Sequence, residues 1–179
     1  MKDWNVIVSV YQDGFRRALR ALQQFGQAER SPYHNVLVMK VEDPMAVLEA
    51  IEKRTGESPA LYDAISRVAP ATRGFDFLSE EELVEKAKSI ISEWLPRLTG
   101  QSFHVRLHRR GGKHELGTQD AERLFNDAIV DATTRAGAPS TISFTDPDVV
   151  IAIDTVDNRA GLAMWTREDL SRCHVLRPD

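Results

Sequence analysis

Cysteine occurs once in this 179-residue chain, at Cys173, which excludes an internal disulfide and a thiolate zinc cluster. Its place between Arg172 and His174 gives no strand or helix context for a nucleophile, so it reads as an inert thiol. Long hydrophobic runs are missing too: no stretch approaches the roughly 18 apolar residues that a membrane-spanning helix requires. Residues 1–10, MKDWNVIVSV, lack the small-residue cleavage site of a secretory signal. A cytoplasmic protein without a membrane partner is expected. No GxGxxG fingerprint, GxxxxGK(S/T) phosphate loop or GxSxG elbow occurs, so no nucleotide cofactor is expected and no nucleophilic site can be recognised. Net positive charge is absent as well: 23 Lys+Arg stand against 27 Asp+Glu, for a formal charge of −4. That balance argues against indiscriminate coating of nucleic acid and leaves room for a localised basic patch.

Such a patch is present. Residues 103–114, FHVRLHRRGGKH, hold Arg106, Arg109, Arg110 and Lys113 and no acidic residue. Phe103, Val105 and Leu107 alternate with His104, Arg106 and His108, the period of a strand that buries one face and presents imidazole and guanidinium groups on the other. That outer face suits phosphates. A second basic group, Arg16, Arg17 and Arg20, lies on the polar side of an amphipathic helix, where charge is the default. Arg67 and Arg73 join either group only if the fold brings them close.

The remaining pattern divides in two. In the first half, strands are expected over residues 6–11, 35–41 and 65–68. A first helix carries Phe15, Ala18, Leu19, Leu22 and Phe25 up to Gly26, and a second covers residues 45–54, with Asp43 as N-cap, Pro44 at its first turn and Gly56 as its stop. Alternating elements of this size predict an α+β unit of ferredoxin-like topology. Residues 70–79 read as a linker. Beyond them, Ser79 and Glu82 form a capping-box pattern that opens a helix with Leu83, Ala87, Ile90, Ile91 and Trp94 on one side, ended or kinked by Pro96. The basic strand follows. After it come a turn at Gly111 and Gly112, a helix from about Thr118, an apolar strand over residues 149–153, and a turn at Asp157 and Asn158 into a last strand over residues 162–165. The expected division is residues 1–76 and 77–179.

The five histidines do not make a metal centre. His104, His108 and His114 sit among Arg and Lys, whose field opposes a cation, and on a strand His104 and His108 lie roughly 13 Å apart. Asp146 and Asp148 flank Pro147 and read first as turn residues at a strand start, with paired-carboxylate acid/base chemistry as an alternative. A solvated strand edge guarded by cations is the structural alternative for the basic segment.

The run FHVRLHRRGGKHELGTQDAERLFNDAI, followed by DPDVVIAID and a short hairpin to GLAMW, resembles the THUMP domain of tRNA-modifying proteins over about residues 80–170. The resemblance implies an N-terminal ferredoxin-like domain followed by a THUMP-like α/β domain with a central mixed sheet. It implies binding of structured RNA, chiefly the acceptor 3′ end of tRNA, with catalysis on a separate RNA-modifying enzyme, similar to the adaptor of an RNA cytidine acetyltransferase. The RNA-binding candidates are His104, Arg106, His108, Arg109, Arg110, Lys113 and His114, with no catalytic, cofactor or metal residue. The competing readings are a protein-interaction module whose basic edge recruits an acidic partner, and a small RNA-processing enzyme using Asp146 or Asp148.

Overall fold

Val6–Val10 forms the strand β1, apolar at four of five positions and buried on both faces, as an interior strand requires. The computed structural model describes residues 1–177. They divide into two compact units, Met1–Thr72 with Leu170–Arg177, and Arg73–Asp169.

In the first unit β1 lies between β3 (Val36–Lys40) and β4 (Ile65–Pro70), antiparallel to both, with Val8 opposite Leu37 on one side and Val68 on the other. β2 (Gln27–Arg30) pairs antiparallel with the far side of β3, completing the order β2-β3-β1-β4. Helix α1 (Phe15–Leu22) connects β1 to β2, and α2 (Pro44–Glu57) with the short α3 (Pro59–Tyr62) connects β3 to β4. This is the βαββαβ plan expected of a ferredoxin-like unit. Asp43 caps α2, its carboxylate accepting from the N–H of Met45 at 2.9 Å and of Ala46 at 3.1 Å. The helix continues through Gly56 and stops where Ser58 and Pro59 begin α3. β2 was not foreseen, because QAER carries one apolar residue and forms an exposed edge with no alternation to read.

The expected boundary at 76/77 moves in two ways. Arg73–Asp76 within the supposed linker is strand β5, paired antiparallel with the last strand of the second unit. At the other end, Leu170–Arg177 belongs to the first unit. There the Val68 N–H donates to the Val175 carbonyl at 2.8 Å, and Cys173, Val175 and Leu176 are buried.

The second unit is built on a mixed sheet of order β5-β9-β8-β6-β7. It holds α4 (Glu80–Leu98), β6 (Ser102–Arg110), α5 (Thr118–Arg135), β7 (Thr141–Ile142), β8 (Val149–Val156) and β9 (Arg159–Thr166), after which α6 (Arg167–Arg172) leaves the sheet. β6 runs parallel to β7 and β8, whereas β9 is antiparallel to β8 and β5. One face of the sheet, with Phe103, Val105, Leu107, Val149, Ile151, Ile153 and Leu162, packs against Leu83, Ala87, Ile90 and Ile91 of α4 and Ala121, Phe125 and Ile129 of α5. The two-residue strand period and the 3.6-residue helix period thus meet in one core. Ser79 caps α4 by accepting from the Glu82 N–H at 3.1 Å, and the helix runs past Pro96 to Leu98.

β7 covers β6 only at Ser102 and Phe103. Farther along that side, side chains of α5 do the work of a neighbouring strand. Asn126, itself buried, accepts from the Val105 N–H at 2.9 Å, and Glu122 accepts from the Leu107 N–H at 2.8 Å. At Val105 and Leu107 the basic strand is therefore no open edge needing cations to guard it, since both N–H groups already have partners.

Candidate nucleic-acid interface

Since Phe103, Val105 and Leu107 enter the helix-side core, strand alternation puts His104, Arg106, His108 and Arg110 on the opposite face of the sheet, with Asp154 of β8. The sequence led us to expect an open imidazole and guanidinium face. His104 corrects that reading: it is 3% exposed, with Nδ1 2.7 Å from the Ser143 carbonyl oxygen and its ring 5.5 Å from that of Phe144. It is a packed histidine that pins the segment after β7, not a group open to a phosphate. Arg106 and His108 are half-buried.

Arg109 and Arg110 meet carboxylates supplied by other elements. Arg109 Nη2 lies 2.7 Å from Glu80 Oε1 at the start of α4, and both side chains are 7% exposed. Arg110 Nη1 lies 3.2 Å from Asp154 Oδ1 on β8, a side chain 6% exposed. Two of the four cations that gave the segment its positive character are thus neutralised inside the unit, where an unpaired charge is not tolerated.

What these pairs hold is the turn after β6. Gly111 and Gly112 take φ values of 77° and 81°, the left-handed region that favours glycine. The Arg110 carbonyl accepts from the Asp157 N–H at 2.8 Å, and His114 Nε2 sits 2.8 Å from the Gly111 carbonyl oxygen. Glu80 Oε2 accepts from the N–H groups of Glu115 and Leu116, and Arg109 Nη1 donates to the Leu116 carbonyl at 2.9 Å. Burial works against ionisation of Glu80, but the N–H groups of Leu116 and Glu115, together with Arg109, outweigh it and hold the carboxyl below the usual glutamate range. The loop is anchored at both ends with Lys113 exposed between them. Glu80 and Asp154 escaped sequence reasoning because neither lies near the basic run: Glu80 is one of three consecutive glutamates in a helix-opening pattern, 29 residues before Arg109.

The other candidates resolve as follows. Asp148 Oδ2 accepts from the Ser102 N–H at 2.9 Å and hydroxyl at 3.0 Å, so that the starts of β6 and β8 are tied together. The Ser102 N–H and then its hydroxyl lower the Asp148 carboxyl from its ordinary range. Arg167 joins both acids, 3.0 Å from Asp146 Oδ1 and 3.2 Å from Asp148 Oδ1. A carboxyl lowered in this way is poorly suited to deliver a proton near neutral pH. Arg67 is buried and donates to the Arg177 carbonyl, and Arg73 pairs with Glu93, so neither extends a basic patch. Arg16, Arg17 and Arg20 are exposed on α1, where Arg17 Nη1 also donates to the Ala60 carbonyl at 2.8 Å. Among the described residues no group of three or more His, Cys, Asp or Glu is placed to hold a metal ion, and no helix is long and apolar enough to cross a membrane.

Comparison with known proteins returns one family model, the THUMP domain, which matches residues 78–164. That span takes in α4, the basic strand, its loop, α5 and most of the sheet. No curated protein matches the chain. Among solved structures, the chain is similar to a protein from Pyrococcus horikoshii Ot3, with a TM-score of 0.59, 14% identity, and coverage of 90% of this chain and 54% of that one. TrmN from Thermus thermophilus gives 0.57, 20%, 90% and 44%, and a 4-thiouridine synthetase solved with RNA and ATP gives 0.55, 14%, 92% and 42%. The chain spans about half or less of those proteins, and at such identities the likeness concerns the fold. The family match and the basic strand with its braced loop coincide in the second unit, so that residues 78–164 form a THUMP domain.

Proposed function

We propose that this chain is an RNA-binding adaptor that grips tRNA, at its acceptor 3′ end, and presents it to a separate modifying enzyme in the cytoplasm. A THUMP domain indicates RNA binding in the context of tRNA modification. The observation that carries the reading is that the domain includes the basic strand and the loop that exposes Lys113. TrmN and the synthetase solved with RNA share this fold at low identity, which supports the reading at the level of the fold. The adaptor role, and a cytidine acetyltransferase as the enzyme served, rest on the resemblance to THUMP proteins.

Burial revises the list of contacts. Lys113 is the leading phosphate contact, with Arg106 and His108 half-exposed on the sheet face and His114 at the loop base. Arg109 and Arg110 act through the loop they brace, because their guanidinium groups already face carboxylates. Each neutralised phosphate contributes about 0.7 to 0.9 to the slope of log affinity against log salt. Lys113→Ala is therefore expected to lower the slope for tRNA by about that amount with the melting temperature unchanged, read by fluorescence anisotropy at several salt concentrations. Binding by Lys113→Ala with the wild-type slope would remove this residue from the interface. For the adaptor role, the purified chain incubated with tRNA and acetyl-coenzyme A with ATP, or S-adenosylmethionine, is expected to leave the nucleosides unchanged by mass spectrometry. Donor-dependent modification by this chain without a second protein would reject it.

A further inference from the structure

The geometry points to Glu80 as a positioning residue for RNA binding, a carboxylate that never touches the RNA and sets the loop that does. The inference rests on the RNA-binding reading and adds to it a residue on a different element from the basic segment. The two carboxylate oxygens are divided between two tasks. Oε1 takes Arg109 Nη2 at 2.7 Å, which fixes the end of β6, and Oε2 takes the N–H groups of Glu115 and, at 2.9 Å, Leu116, which fixes the returning limb of the loop. Arg109 closes the ring through its bond to the Leu116 carbonyl at 2.9 Å. One acid thus joins the first turn of α4, the end of the basic strand and the base of the loop.

Between these anchors stand Gly112 and Lys113, both exposed. A loop of this kind left unbraced samples many backbone states, and binding must then freeze them. Glu80 settles that cost during folding. An exposed acid, Glu115, follows two residues after Lys113, so the direction in which the loop holds the lysine also determines how far its charge stands from that carboxylate.

Glu80→Gln keeps the volume and tests the arrangement, because three donors converge on the carboxylate and a carboxamide must offer one of them an N–H in return. The variant is expected to exchange its Glu115 and Leu116 amide hydrogens at least about tenfold faster. It should bind tRNA about tenfold more weakly at every salt concentration, a change comparable to refreezing roughly one backbone residue, with the wild-type salt slope retained. Retention of the slope separates positioning from contact, since Lys113→Ala loses slope. Should Glu80→Gln fail to fold by circular dichroism, Gly112→Ala disturbs the loop without touching the ion pair: its added Cβ meets His114 Cε1 at 3.2 Å and its φ of +81° disfavours any side chain. It is expected to show the same weaker binding at unchanged slope. Wild-type affinity in both loop variants, or a slope that falls in Glu80→Gln as it does in Lys113→Ala, would overturn the positioning role while leaving RNA binding intact. Absence of salt-dependent tRNA binding by the wild-type protein would instead refute the RNA-binding reading, and the positioning role with it.

Discussion

Arg109→Ala distinguishes a brace from a contact by stability alone. The substitution removes Nη2 from Glu80 at 2.7 Å and Nη1 from the Leu116 carbonyl at 2.9 Å, and it leaves a carboxylate 7% exposed without its counter-charge. Breaking a buried pair by deleting one partner costs about 3–5 kcal/mol. Glu80 keeps its two loop N–H partners, which places the cost at the lower end, at about 3 kcal/mol. For a chain of this size unfolding as a whole each kcal/mol lowers the melting temperature by about 2–4 °C, so a fall of about 6–12 °C is expected, and about twice that if the second unit melts by itself. Thermal and urea denaturation followed by circular dichroism measure it. Because the chain has two compact units, the drop should appear in the transition of the second, and a split transition would be informative in itself. A melting temperature within about 2 °C of wild type, together with a salt slope for tRNA lowered by about 0.7 to 0.9, would show Arg109 to be an open cation and refute the reasoning. A double charge reversal at Arg109 and Arg110 is a poor test of the interface, since it would set two carboxylates against Glu80 and Asp154 and unfold what it was meant to probe.

Acid sensitivity follows from Glu80 and Asp148, whose carboxyls are both lowered in the folded state. Groups of this kind contribute stability above their unfolded values, near 4.5 and 3.8, and lose it as pH falls through the folded values. The urea midpoint should accordingly hold steady down to about pH 5 and then decline, with a shallower decline in Glu80→Gln; an identical acid profile in that variant would refute the assignment. In the first unit, Asp43→Ala removes the acceptor for the Met45 and Ala46 N–H groups and is expected to cost about 1 kcal/mol in urea denaturation, with tRNA affinity unchanged.

By itself the sequence determined those elements in which burial and periodicity agree. The apolar run of β8 over residues 149–153 could be read directly, as could the strand period of Phe103, Val105 and Leu107 and the helical spacing of Leu83, Ala87, Ile90 and Ile91, whereas Asp154 and Thr155 hid the strand's continuation to Val156. Asp43 and Ser79 marked the starts of α2 and α4 because an N-cap is a local interaction, complete within three residues. Local concentration of charge also drew attention to β6 and to the loop that follows it.

Only the tertiary structure decided what depends on partners far along the chain. β2 and β5, QAER and RGFD, hold little apolar content and are strands because β3 and β9 pair with them. The alternation around His104 was correct, yet alternation assigns a residue to a face and says nothing about what lies against that face. His104 is buried beside Phe144 and the Ser143 carbonyl, its hydrogen-bond partner 39 residues along the chain. The basic segment contains no acid of its own, so its cations looked free; Glu80 and Asp154, 29 residues before Arg109 and 44 after Arg110, make two of them structural. Charge in a sequence is summed along the chain, whereas in a folded protein it is cancelled through space, and burial of the pairing partners turned half of an apparent binding patch into its scaffold.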